Sequence, residues 1–105
     1  MNITAVALAS LTLASAGVAS GAYAASVSDM DYLKASRCRG IAKGLGADAS
    51  AIEAYLKRAG GGRSALVVSR ANEEFAKGKR QSSSGDGKER LQAELSGPCA
   101  AYSAA

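Results

Sequence analysis

Every charged side chain of this chain lies between Asp29 and Glu94, and the first 28 residues carry none. That boundary limits what can fold. An uncharged leader precedes one short charged segment, and only the second can form a water-exposed domain. Within the leader, residues 3–18 read ITAVALASLTLASAGV, an apolar and small-residue core. Ala22-Tyr23-Ala24 follows, with small residues where a signal-peptide cut needs them. The expected division is therefore a cleaved signal peptide over 1–24 and a helical domain over 25–105. Ala14-Ser15-Ala16 fits the same cleavage rule, and no Lys or Arg opens the leader. Lys34, Arg37, Arg39 and Lys43 follow it closely, and positive charge resists translocation. An uncleaved anchor and an Ala-rich tail are the competing readings, while cleavage leaves no membrane span.

A domain of this size holds one small core, and such cores need a staple. Cys38 and Cys99 are the only cysteines, so only one intramolecular pairing exists. In an oxidising compartment they are expected to form a disulfide. The same reasoning places the protein in a periplasm or outside the cell.

The charged segment reads as helices. Ser28 is an N-cap candidate with Asp31 three residues on. Met30, Leu33, Cys38, Ile41 and Leu45 recur at helical spacing after it. Ser36, Gly40 and Gly44 form a small-residue stripe at four-residue spacing, which suits close packing of another helix or simple fraying at the C-terminal end of the first. Asp48 is expected to cap a second helix ending near Ala59, and Gly60-Gly61-Gly62 to stop it in a left-handed cap. Ser64 is expected to cap a third, reaching about Lys79. Residues 81–87, QSSSGDG, read as a flexible linker. Asp86 is expected to cap a fourth helix, ended by Gly97-Pro98, with a loose tail over 100–105. The predicted fold is all-α: three to four short helices in a compact antiparallel bundle, closed by one disulfide.

Chemistry is constrained by what is missing. The chain has no His, so the commonest general base and metal ligand is absent. No His-based nucleophilic dyad can be built, and no catalytic residue, metal site or cofactor is expected. The Asp29-Met30-Asp31 start of a calcium loop fails at Lys34, where glycine belongs. Gly78-Lys79 and Gly87-Lys88 lack the following Ser or Thr of a phosphate loop.

What remains is a net charge of +4. Arg37, Arg39 and Lys43 form one basic group, and Lys77, Lys79 and Arg80 another. Arg63 follows a glycine turn at a helix start, where free N–H groups can hold an anion. These seven are the candidate contacts for an anionic partner; alternatively they complement helix dipoles and solvate the surface. In size, compartment and cysteine number the chain is similar to small two-cysteine helical proteins of the bacterial envelope. That outline transfers no site residue. The functional expectation is a non-enzymatic exported protein that binds another protein or an envelope component. The alternative is a cationic protein on anionic lipid or acidic glycan. Nucleic acid is not an expected partner, since an exported protein seldom meets it.

Overall fold

The computed structural model describes residues 27–103. The expected signal peptide, its cleavage site and the last two residues lie outside that range. Among the described residues the fold is all-α, with helices α1 (Asp29–Leu45), α2 (Ser50–Ala59), α3 (Ala65–Ser83), α4 (Lys88–Ser96) and the single turn α5 (Ala100–Ser103). The predicted fold class holds, with one short helix more than expected.

Local chemistry sets most boundaries. Ser28 accepts a hydrogen bond from the Asp31 backbone N–H at 3.1 Å, and its hydroxyl donates to the Asp31 carboxylate at 3.0 Å. Gly46 ends α1 in the left-handed region, at φ +73°. Its N–H donates to Lys43 O, and the Ala47 N–H donates to Ala42 O. These are the two bonds of a Schellman cap, which need a left-handed residue at the turn. Ser64 caps α3 by accepting from the Val67 N–H.

Four local expectations are corrected. Asp48 lies just outside the cap position of α2, and its carboxylate accepts from both the N–H and the hydroxyl of Ser50. Those two bonds favour the ionised form and lower the Asp48 pKa. Gly60 is right-handed, and the left-handed glycine of that turn is Gly62. Asp86 makes no cap; Gly87 at φ +71° leads directly into α4. The expected linker 81–87 begins three residues too early, because α3 continues through Ser83.

The α1–α3 pair is the spine of the fold, with the most extensive helix–helix contact. It follows from the small-residue stripe. Gly40 and Gly44 face Phe75, Lys79 and Ser82 of α3, Gly78 faces Arg37 and Ile41 of α1, and Ser36, Gly40, Ala71, Gly78 and Ser82 are buried. A Cβ on Gly40 would overlap the Phe75 carbonyl oxygen, and one on Gly78 would stand 2.7 Å from Arg37 O. Side chains normally hold helix axes 8–10 Å apart, so glycine on both helices permits a closer approach. Ser82 extends α3 into the supposed linker: its hydroxyl donates to Gly78 O at 2.8 Å, with Gly40 O at 3.5 Å across the interface.

The helix directions are mixed. Gly40 lies against Phe75 and Lys79, and Gly44 against Lys79 and Ser82, so α1 and α3 run parallel. Along α2 the order reverses: Lys43 and Arg39 meet Glu53, while Asp29 meets Arg63 beyond its far end. The chain is thus up-down-up, and neighbours in sequence alternate while α1 and α3 do not.

The core is thin. Its buried apolar residues are Ala35, Cys38, Ile41, Ala42, Ala49, Ile52, Ala71, Leu91 and Cys99, four of them alanine. Cys38 and Cys99 are bonded, and with Ile52 they centre a cluster completed by Leu56, Leu95 and Tyr102. The bridge ties the middle of α1 to the segment after α4, as the cysteine positions predict.

The tail is held rather than loose as far as Ser103. Tyr102 stacks edge-on against Tyr55 at 5.1 Å, and its hydroxyl donates to Asp31 at 3.3 Å. Burial first, then the neighbouring Asp31 carboxylate, raises the Tyr102 pKa. The phenol is therefore kept neutral in the fold more firmly than in the unfolded chain. Its contribution is present below the ordinary tyrosine pKa of about 10 and is lost as pH rises through the higher folded value. Chemical unfolding at stepped alkaline pH should show this loss, and Tyr102→Phe should reduce it.

Candidate interaction surface

The seven candidate cations separate into structural and exposed groups. Arg37 belongs to the scaffold. Its Nε and one terminal nitrogen donate to the two Glu94 carboxylate oxygens at 2.8 and 3.0 Å, and the other donates to Gln81 at 2.8 Å. One guanidinium thereby joins α1, α3 and α4. The Glu94 bond raises the Arg37 pKa, with burial acting against it. A bidentate pair of this kind is directional and stronger than a single contact.

Arg63 is equally committed. It donates to Ala59 O, to the Asp29 carboxylate at 2.7 Å and to Val27 O at 2.8 Å. Its guanidinium also lies 5.4 Å from the centre of the Tyr32 ring. The side chain is only 13% exposed. It clasps the α2–α3 turn to the start of α1, with each of its three nitrogens donating inside the fold. The glycine turn before it is a connection shaped by Gly62, and Ser64 already occupies the cap of the helix that follows.

Lys77 is not among the residues that line the groove along α3. Two residues of α-helix turn about 200°, so Lys77 and Lys79 emerge on nearly opposite sides of α3, with Arg80 between them. The second basic group of the sequence is therefore spread round the helix that carries it.

Arg39, Lys43, Lys79 and Arg80 remain on one side. Phe75, half-buried on α3, organises them. The Arg39 guanidinium lies 4.2 Å from the ring centre, and the Lys79 ammonium lies 6.0 Å from it. Both are within reach of the negative ring face. A single Glu53 oxygen holds Arg39 at 3.4 Å and Lys43 at 3.3 Å. A recess of about 300 Å³ lined by Arg39, Glu53, Leu56 and Lys57 brings Lys57 to the same face. Along α3 an open groove of about 680 Å³ is lined by Phe75, Ala76, Lys79, Arg80, Ser83 and Ser84.

Neither Phe75 nor Glu53 is among the candidate contacts that the sequence singles out. Their joint role was invisible because Glu53 and Phe75 meet through Arg39 on a third helix. Spacing on one helix does not report such a meeting. Ser83 and Ser84 were assigned to the linker.

Among the described residues no group of three or more His, Cys, Asp or Glu side chains is placed to hold a metal. None of the described helices is long and apolar enough to cross a membrane. No protein-family model, characterised protein or solved structure matches the chain.

Proposed function

We propose that the chain is a non-enzymatic exported protein that binds another macromolecule through the faces of a disulfide-locked helical scaffold. The observation that carries this reading is the cationic face around Phe75. Arg37 and Arg63 are consumed in holding helices together, yet Lys79 and Arg80 are exposed beside an aromatic ring and an open groove. A mixed aromatic and cationic surface of this kind has the composition of a contact site. Export is supported by the leader and by a disulfide that needs an oxidising compartment. The lack of any His supports binding over catalysis.

The test is site-specific photocrosslinking in the producing cell, scanning exposed positions on α1 to α4. Discrete adducts with one macromolecule, clustered on one face, are the expected result. No adduct from any position, or substrate turnover by the purified protein, would contradict the reading.

A further inference from the structure

The groove beside Phe75 has a shape and a charge that select among macromolecular partners. Its lining residues are consecutive pairs on a single helix, at positions 75 and 76, 79 and 80, and 83 and 84. They repeat every four residues, so they form one continuous strip along α3. At 1.5 Å per residue the strip is about 14 Å long, or two and a half turns. A second helix packs on such a strip, because ridges of side chains four apart leave a groove for another helix's ridge.

The two ends of the strip differ. Phe75 and Ala76 give an apolar floor near the middle of α3. Lys79 and Arg80 stand beside it, with Arg39 reaching over from α1 to the Phe75 ring and Lys43 next to Arg39 on their shared Glu53. With Lys57 at the recess beside Glu53, five cations on this face outnumber the one carboxylate that Arg39 and Lys43 share. Ser83 and Ser84 close the strip; their hydroxyls donate to Lys79 O and Gln81 O and retain lone pairs for an incoming donor.

A bilayer fits this surface poorly. Membrane docking through an aromatic needs the ring free to insert, and Phe75 is half-buried with the Arg39 guanidinium over its face. Resting on the binding role proposed above, we infer that the strip Phe75–Ser84 docks an acidic amphipathic helix of a partner protein. In that complex one or two apolar side chains meet Phe75 and Ala76. Carboxylates one turn apart meet Lys79 and Arg80, in the helix-in-groove mode.

The probe is a synthetic helical 14-residue peptide carrying Leu on one stripe and Glu on the flanking one. It is titrated into the oxidised full chain and followed by two-dimensional amide NMR. The expected shifts concentrate at Phe75 to Ser84 and at Arg39 and Lys43, and vanish with a peptide whose Glu residues are replaced by Lys. The double variant Lys79→Glu, Arg80→Glu should weaken binding at least about tenfold, since each reversal replaces an attraction by a repulsion. Both side chains are exposed, and an unchanged melting temperature of the variant keeps the comparison fair. Shifts elsewhere, equal binding of the Lys peptide, or no peptide binding would overturn the proposal. So would groove shifts produced by vesicles of phosphatidylglycerol but not by the peptide. A crosslinked partner found on another face, with no peptide in the groove, would defeat this assignment and leave the broader binding role standing.

Discussion

Reduction of the Cys38–Cys99 bridge is expected to lower the unfolding free energy by about 4 kcal/mol. The bridge joins residues separated by 61 positions, so it closes a loop containing nearly the whole charged segment. In the chain-entropy model a loop of that length costs the unfolded chain about 4 kcal/mol of freedom. Small domains have about 5–15 kcal/mol in total, so this is a large share. The composition of the core makes the loss harder to absorb. Among the described residues, Ile41, Leu91 and Cys99 are the largest side chains removed completely from solvent. Burial of alanine contributes little apolar area, and the cysteine cluster with Ile52, Leu56, Leu95 and Tyr102 is itself built on the bridge. Urea unfolding followed by circular dichroism, with and without reductant, measures the difference. A change below about 1 kcal/mol would show that the helices assemble without the staple.

Gly40→Ala carries the second large effect, and its sign distinguishes two accounts. Helix propensity alone favours alanine over glycine by about 1 kcal/mol, so an isolated α1 would gain. In the assembled pair the new methyl would overlap the Phe75 carbonyl and stand 2.9 Å from the Lys79 nitrogen. Both obstacles are backbone, so no side-chain rotation relieves them and α1 must separate from α3. The expected net result is a loss of about 2 kcal/mol. Gly61→Ala is the matched control, because nothing lies within 4 Å of its Cβ position and its φ is not left-handed. It should be neutral within about 0.5 kcal/mol. Stabilisation by Gly40→Ala would refute the close contact of α1 with α3.

The small-residue stripe was legible in the sequence because it is a property of one helix. Ser36, Gly40 and Gly44 announce a close neighbour whatever that neighbour is, and α3 proves to be it. The Ser28 and Ser64 caps and the cysteine pairing were legible for similar reasons, each resting on a short range or on a single possible partner. Long-range polar partners were not. Arg37 and Glu94 are 57 residues apart, and Arg63 reaches back 34 residues to Asp29. Nothing in their own neighbourhoods separates such cations from solvated ones. Lys77 and Lys79 look like one group in the sequence, and only the turn of the helix parts them. Composition misled at residues 81–83, where a serine run reads as linker. Ser82 is helical there and buried at the glycine contact, where its hydroxyl is satisfied by the Gly78 carbonyl.

Export and closure by the Cys38–Cys99 bridge can be read together from the intact mass of the protein from its producing cell, with thiol alkylation before and after reduction. The expected result is a chain beginning at Ala25, with two thiols that alkylate only once reduced. A full-length chain with two free thiols would contradict it, and the cationic face would then have to meet its partner inside the cell.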